Sequence, residues 1–369
     1  MNPFIISGFE GKEYFCDRKA ELKKLKEASD NRRNVTLFSL RRMGKSSLIK
    51  YHFEKISGST NCIYSDIFPA MNFTEMTEII ANSVAMQYGI SAKDRLSKIA
   101  ALVKSLGATL TFNQYNGKPE LKFGIGEIKA HQKNLEEIFN FLEKGSKRTL
   151  IAIDEFQQVR SFADKNTEAY LRSEIQKYKN INFIFSGSNR RTLESIFSDS
   201  TNPFYQSTQF MYLEEISKKD YADFIIQHFR KGRMKIRPAE AEFILEICRD
   251  HTYYVQYLCN RIYSKGTNCS REVIYNTLEE ILTENEPVYF NYKNLLTNIQ
   301  WKLAAAISKE EKVKEPLAIS FIKKYDMNST SSLKRALDAL LKKEIVIYNN
   351  GHFMVYDVFF SLWLREKAI

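Results

Sequence analysis

The apolar residues of this chain follow two periods, one typical of strands and one typical of helices. Short β-type runs begin near residues 35, 62, 149, 182 and 210, and stretches with helical spacing separate them. Alternating strands and helices of this kind predict an α/β domain with a parallel sheet. From residue 218 the spacing is helical as far as residue 343, and two short alternating runs then predict a hairpin.

Another hairpin is predicted between the second and third of these strands. Two alternating runs, Ala108 to Tyr115 and Lys118 to Phe123, flank the pair Asn116-Gly117. An Asn-Gly pair in this position is a strong signal for a tight turn between two strands. The apolar spacing predicts two helices before the hairpin, Thr74 to Tyr88 and Ala92 to Lys104.

The first strand leads into a loop with the composition of a phosphate-binding loop. Its residues are Ser39, Leu40, Arg41, Arg42, Met43, Gly44, Lys45, Ser46 and Ser47, after which helical spacing begins. Backbone N–H groups of such a loop converge on an anion, Lys45 supplies charge for the β- and γ-phosphates, and Ser46 offers its hydroxyl to Mg²⁺. Ser39 replaces the first glycine of the G-x-x-x-x-G-K-[ST] pattern, and serine resists positive φ. The alternative is a plain strand-to-helix turn with a surface lysine.

Two carboxylates follow the apolar run that begins at Thr149. Because parallel strands gather ligands at their carboxyl ends, we expect Asp154 and Glu155 at the same rim as the loop. Asp154 would orient Mg²⁺, directly or through water, and Glu155 would polarise a water for in-line attack on a γ-phosphate. The alternative is the polar start of an ordinary loop. Asp66, after the second strand, either lies at this rim or caps the segment that follows it.

Several segments of the chain match one known family. They are Ser39 to Ser47 with its Arg41-Arg42 pair, Ile153 to Gln157, Ile184 to Ser188, and Phe15 to Leu22, which fits the pattern F-x-x-R-x-x-E-L. Together they resemble the archaeal-type ATPases, a branch of the STAND class within the AAA+ superfamily that also occurs in bacteria. Phosphate loops of that family often begin with a small residue other than glycine followed by x-R-R, which accounts for Ser39.

The resemblance implies an AAA+-type α/β core with a P-loop and a parallel sheet, a helical lid and a C-terminal winged helix. It also implies a small polar side chain after the fourth core strand that senses the γ-phosphate, and Ser186 and Ser188 are both candidates. An arginine after this strand would reach the γ-phosphate, and Arg190 and Arg191 both qualify. The hairpin at about residues 107–126 becomes an insertion. It either contacts a partner or another subunit, or closes one side of the sheet.

The C-terminal part of the chain has the pattern of a winged helix-turn-helix. Three helices, Leu296 to Ala306, Pro316 to Lys324 and Ser329 to Lys343, precede the final hairpin. The third helix would present Ser331, Ser332, Lys334 and Arg335, in the half that enters a major groove in helix-turn-helix proteins. The same fold also serves for protein contact, so double-stranded DNA and a protein partner both stay open.

Composition narrows the class of protein. The chain has 369 residues, of which 44% are hydrophobic and 27% charged, as in ordinary globular proteins of two or three domains. Its net charge of +11 suits an acidic partner such as nucleic acid. Five cysteines without metal-ligand spacing are expected to be reduced thiols. No run has the length of a membrane span or the form of a signal peptide, so we expect a cytoplasmic protein without membrane contact.

These observations predict three parts: a P-loop ATPase core at residues 1–215, a helical lid at 216–287 and a winged helix at 288–369. ATP and Mg²⁺ are the expected cofactors, and a homo-oligomer is one possible assembly. The expected activity is slow, Mg²⁺-dependent ATP hydrolysis that switches the arrangement of the domains. One alternative is a DNA-binding regulator or initiator-like protein with a vestigial nucleotide site, and another is a scaffold that binds ATP only for structural reasons.

Overall fold

The structure is a computed structural model that describes residues 2–89, 103–104, 106–112, 119–123, 128–327 and 329–367. Its contacts divide the chain into two compact units. The sheet unit comprises residues 7–216, and the helical unit comprises residues 2–6 and 217–367. No helix in the described part of the chain is long and apolar enough to cross a membrane. The predicted division into three domains stays a prediction.

The sheet unit contains a five-stranded parallel sheet and a two-stranded hairpin. Its strands are β1 (Val35–Ser39), β2 (Thr60–Asp66), β3 (Thr109–Phe112), β4 (Pro119–Lys122), β5 (Arg148–Asp154), β6 (Ile181–Gly187) and β7 (Gln209–Leu213). The order in the large sheet is β2-β5-β6-β1-β7, with every pair parallel. Strand β6 therefore separates β1, which leads into the phosphate loop, from β5, which ends at Asp154.

Helices cover both faces of this sheet. They are α1 (Lys19–Asp30), α2 (Lys45–Ile56), α3 (Phe73–Gly89), α4 (Ile128–Glu143), α5 (Thr167–Ile175) and α6 (Arg190–Ser198), with short 3-10 helices at Lys12–Tyr14 and Phe156–Ser161. Ile151 and Ile153 pack in the core with α3 to α6, whereas Leu150 and Ala152 pack in the core with α1 and α2. Successive side chains of a strand point to opposite faces, so β5 is apolar throughout because both faces are buried.

The predicted hairpin is present as the antiparallel pair β3 and β4. The side chain of Asn82 on α3 both donates to and accepts from the backbone of Leu121, at 3.3 and 2.5 Å, and the Leu121 side chain is buried in the core. The hairpin thus packs against α3 within the sheet unit. The turn at Asn116-Gly117 and most of the predicted helix Ala92 to Lys104 lie outside the described residues.

The helical unit begins with four helices and ends with a winged-helix arrangement. Its elements are α7 (Lys218–Lys231), α8 (Pro238–Ile247), α9 (Thr252–Ser264), α10 (Arg271–Leu295), α11 (Asn298–Glu310), α12 (Ile319–Lys324), α13 (Thr330–Lys342), β8 (Val346–Asn349), β9 (His352–Val355) and α14 (Val358–Lys367). Val313 bridges to Phe353 and extends the β8–β9 wing. Helix α10 continues through Pro287, so the lid boundary predicted at residue 287 falls inside a helix.

Residues 2–6 belong to the helical unit although residues 7–216 separate them from the rest of it. Phe4 is fully buried, and its ring packs against Phe224, His228, Phe229 and Tyr263. The Asn260 side chain donates to the Phe4 carbonyl at 2.7 Å, and the Asn2 side chain donates to the Asn260 carbonyl at 2.9 Å. We call residues 2–6 the N-terminal clasp.

Helix α2, which follows the phosphate loop, carries a buried histidine on the side that contacts α1. The His52 side chain is 1% exposed, and its Nε2 atom lies 3.0 Å from Ser29 Oγ. Burial lowers the pKa of His52 from 6.5 to about 4, because the charged imidazolium would lose its hydration. His52 is therefore neutral in the folded protein at neutral pH.

We expect this histidine to make stability fall on mild acidification. The unfolded chain takes up a proton near pH 6.5, whereas the folded protein does so only near pH 4. The contribution of His52 to the free energy of unfolding should therefore be greatest above pH 6.5. It should decrease by about 3 kcal/mol between pH 6.5 and 4. Denaturant titrations across this range measure the slope. His52→Gln should reduce it, and an equal slope in that variant would contradict the assignment.

Candidate nucleotide site

The phosphate loop joins the end of β1 to the first turn of α2. Lys45 is the first residue of α2, and Gly44 before it has φ 88°, in the left-handed region that favours glycine. Arg42 also has positive φ, at 60°. Ser39 instead ends β1 in extended backbone, and its hydroxyl donates to the Leu40 carbonyl at 2.9 Å. The first loop position therefore needs no glycine here, because the positive φ values occur three and five residues later.

Other loop residues fix the position of the loop within the sheet unit. Arg41 and Arg42 are exposed, whereas Met43 is buried in the core. The Ser47 hydroxyl donates to the Gly8 carbonyl at 2.8 Å. Arg18 is 4% exposed, and its guanidinium donates to the Met43 carbonyl at 3.4 Å and to the Glu214 carbonyl at 2.5 Å. This buried cation thus connects the loop to the segment after β7.

The carboxylate of Asp154 is the centre of the site. Its Oδ1 atom accepts hydrogen bonds from Lys45 Nζ, from Ser186 Oγ at 2.7 Å and from the Glu155 N–H at 2.9 Å. Its Oδ2 atom accepts from Ser46 Oγ at 2.8 Å and from the Tyr64 hydroxyl. The structure thereby brings residues of the loop to the end of β5, although they are more than 100 positions apart in sequence.

These partners keep Asp154 ionised. The side chain is 2% exposed, and burial alone would raise its pKa. The charge of Lys45 and the hydrogen bonds from Lys45, Tyr64 and Ser186 outweigh burial and lower the pKa of Asp154 to about 2. A fully charged carboxylate is what a divalent cation requires of its protein ligand.

Glu155 lies beside Asp154 but has different partners. Its backbone is in the left-handed region at φ 57°, which is uncommon for a non-glycine residue and recurs at functional sites. Its Oε2 atom accepts from Ser188 Oγ at 2.8 Å, from the Ser188 N–H at 3.2 Å and from Gln157 Nε2 at 2.5 Å. Its Oε1 atom is 3.5 Å from Lys45 Nζ. The predicted base therefore lies next to the residue predicted to contact the phosphates.

The two candidate sensor serines divide between the two carboxylates. Ser186 is fully buried and contacts Asp154, whereas Ser188, just after β6, contacts Glu155. Arg190 does not join this cluster. Its guanidinium pairs with Glu194 at 2.8 Å and lies 4.9 Å from the ring centre of Tyr212. Arg191 is exposed, and a contact of either arginine with a γ-phosphate stays a prediction.

The sequence patterns did not single out Tyr64 or the contact of Gln157 with Glu155. A signal for Tyr64 existed, since it is two residues before Asp66 on β2 and therefore faces the same side of the sheet. Asp66 itself is opposite Asp154 in the strand register, and its side chain accepts from the Phe68 N–H at 3.0 Å. Both earlier interpretations of Asp66, at the rim and as a cap, are thus compatible with its position.

The donor set suits Mg²⁺. This ion prefers oxygen ligands and is usually bound by one or two protein side chains, with waters and phosphate oxygens completing its shell. Ser46 and Asp154 provide a hydroxyl and a charged carboxylate 2.8 Å apart, and the Tyr64 hydroxyl lies at the same carboxylate oxygen. The residues present therefore fit the ion.

A second candidate surface lies on the winged-helix part of the helical unit. On α13, Leu333, Leu337 and Leu340 are buried, while Lys334 and Arg335 are exposed. Ser331 is also exposed and Ser332 is half-buried. The polar face predicted from the sequence is thus accessible on this helix.

Comparison with known proteins supports this architecture. Residues 287–366 match the family model of a probable winged helix domain. No curated protein matches the chain. Among solved structures, the Walker-type ATPase of Pyrococcus abyssi aligns with 98% of this chain and 99% of its own, at 17% identity and a TM-score of 0.66.

Two proteins of Aeropyrum pernix are also similar. The ORC2 protein with ADPNP and ADP aligns with 100% of this chain and 98% of its own, at 13% identity and a TM-score of 0.58. The ORC1 protein in complex with DNA aligns with 97% and 94%, at 12% identity and a TM-score of 0.51. At these identities the likeness shows the fold. The chain therefore shares the fold of these solved structures, an α/β domain with a parallel sheet as predicted from its sequence, and carries a C-terminal winged helix.

Proposed function

We propose that this protein is a P-loop ATPase that binds ATP with Mg²⁺ and hydrolyses it slowly. One observation carries the proposal: Lys45 and Ser46 of the phosphate loop both contact Asp154 at the end of β5. A surface lysine in a plain turn would have no reason to be buried against a carboxylate. Lys45 is only 6% exposed, and a buried ammonium is costly unless it is paired.

The proposed binding step follows from the loop geometry. The N–H groups at the start of α2 and the charge of Lys45 attract the phosphates of ATP. Ser46 and Asp154 would hold Mg²⁺, whose charge, when bound, stabilises the negative charge that develops on the phosphate oxygens. Lys45 contacts both Asp154 and Glu155, and on nucleotide binding its ammonium group would turn from these carboxylates to the phosphates.

In the proposed hydrolysis step Glu155 acts as general base. It takes a proton from a water that attacks the γ-phosphorus, and the bond between this phosphorus and the bridging oxygen of ADP breaks. Ser188 would hold Glu155 and contact the γ-phosphate, and Arg190 would contribute only after leaving Glu194. We also propose that turnover changes the arrangement of the two units.

Two substitutions test binding and chemistry separately. Lys45→Ala should abolish measurable ATP binding in calorimetry, because it removes the positive charge that attracts the phosphates. Glu155→Gln should keep ATP bound and lower kcat by a factor on the order of a hundred or more. Lys24→Ala and Glu54→Gln alter exposed residues of the same types and serve as controls. Wild-type turnover in Glu155→Gln would remove the assigned base, and unchanged affinity in Lys45→Ala would remove the site.

Tyr64→Phe tests the Mg²⁺ assignment. The substitution deletes one donor to Asp154 Oδ2 and leaves the ring in place. Loss of a residue that orients a metal ligand typically weakens metal binding, so we expect the Mg²⁺ concentration for half-maximal ATP binding to rise on the order of tenfold. ATP binding without Mg²⁺ should stay as in the wild type. An unchanged Mg²⁺ requirement would show that Tyr64 only fills space.

For the winged helix we propose contact with double-stranded DNA. Residues 287–366 contain 12 Lys and Arg against 8 Asp and Glu, and the first half of α13 exposes Lys334 and Arg335. The Aeropyrum pernix ORC1 structure, which shares the fold, is a complex with DNA. A protein partner for the same surface, and a DNA-binding regulator with a vestigial nucleotide site, are the competing proposals. ATP-independent DNA binding without turnover would favour the regulator.

Lys334→Ala combined with Arg335→Ala tests the DNA surface. If both residues contact phosphates, duplex affinity should fall, and the slope of log affinity against log salt should decrease by roughly one unit for each lost contact. Fluorescence anisotropy at several salt concentrations measures both quantities. Lys302→Ala with Lys309→Ala removes the same charge from exposed positions of α11. Equal effects of the two double variants on DNA affinity and salt slope would mean that α13 is not the contact surface.

A further inference from the structure

The side chain of Gln157 lies directly over the backbone of Gly187. A Cβ atom added to Gly187 would be 1.9 Å from Gln157 Oε1, closer than any real contact, and 3.1 Å from Gln157 Cδ, a tight contact. Gly187 is not at positive φ, so any residue could adopt its backbone conformation. A side chain at this position would therefore displace the amide of Gln157, whereas glycine leaves the amide room.

The amide uses this position to hold the carboxylate of Glu155. Gln157 Nε2 donates to Glu155 Oε2, the atom that also accepts from the N–H and the hydroxyl of Ser188. Three donors therefore converge on one oxygen. The other oxygen, Oε1, lies 3.5 Å from Lys45 Nζ. The arrangement fixes the carboxylate so that Oε1 faces the lysine predicted to bind phosphates.

The opposite end of the amide shows which contact determines its orientation. Gln157 Oε1 is buried and has no hydrogen-bond partner among the described residues. A buried carbonyl without a partner lowers stability. Rotating the amide by half a turn would place this oxygen against the Glu155 carboxylate, which would be repulsive. The orientation is thus set by the contact with Glu155.

We propose that Gln157 is a positioning residue for Glu155 in ATP hydrolysis. Gly187, which has no side chain, leaves room for the Gln157 amide to reach the carboxylate. The inference rests on the proposed function, in which Glu155 is the general base. The two donors of Ser188 hold Oε2 from one side. The amide adds a second direction of restraint, and a base displaced by about 1 Å is expected to lose a large part of its effect.

Gln157→Ala should lower kcat on the order of ten- to a hundredfold while the affinity for ATP and the KM change little. Gln158→Ala is the matched control, because its amide donates to the Ala70 carbonyl at 3.0 Å instead of to the site. We expect wild-type kcat from the control. A Gln157→Ala enzyme with wild-type or higher kcat would overturn the proposal.

Gly187→Ala tests the same contact from the other side. The added methyl group should displace the Gln157 amide and lower kcat about as much as Gln157→Ala does. In the Gln157→Ala background the methyl group has room, so the double variant should match Gln157→Ala in kcat, and Gly187→Ala should lower the Tm less there than in the wild type. Independent, multiplying losses in kcat would overturn the inference.

Glu155→Gln, measured in parallel, separates this inference from the proposed function. If the wild type turns over ATP and Glu155→Gln does not, while the Gln157 and Gly187 variants behave as wild type, only the positioning role fails. If the wild type has no turnover above that of Glu155→Gln, the proposed ATPase activity and the positioning role fall together. Unfolded variants are recognised by a lost thermal transition, and the milder Gln157→Leu, which keeps the volume but has no donor, then replaces Gln157→Ala.

Discussion

The structure of the sheet unit depends on one buried negative charge, the carboxylate of Asp154. A buried carboxylate is strongly destabilising unless it is paired and hydrogen-bonded. Here its donors come from the phosphate loop, from β2 and from β6, in addition to the next residue of its own chain. A shift of one residue in the register of any of these strands would move a donor to the opposite face. The charge therefore ties the alignment of the sheet to the assembly of the site.

The contacts of this charge also span β6, which lies between β1 and β5. Lys45 and Ser46 reach Asp154 across the end of β6, and Ser186 on that strand fills the gap with a small side chain. A larger residue at position 186 would separate the lysine from the carboxylate. The hydroxyl is small enough to allow close approach and still donates to the buried charge.

Much of this architecture could be predicted because it follows from short-range patterns. The apolar runs predicted the strands, and Gly44-Lys45-Ser46 with Asp154-Glu155 predicted which residues meet at the rim. What could not be predicted depends on distances across the sheet. Tyr64 looks like any strand tyrosine, and only the pairing of β2 with β5 brings its hydroxyl to Asp154. Pro287 lies at the predicted boundary of the lid, and α10 continues through it because packing on both sides of a helix can outweigh a lost hydrogen bond.

The N-terminal clasp has a consequence for how this chain comes apart. The polypeptide passes from the helical unit to the sheet unit at residues 6 and 7 and returns at residues 216 and 217. The backbone therefore connects the two units at two points. A protease that cuts the segment between Ser7 and Gly11 would leave the peptide bearing Phe4 held in place by its aromatic pocket. After such a cut, packing and hydrogen bonds alone would attach the clasp to the helical unit.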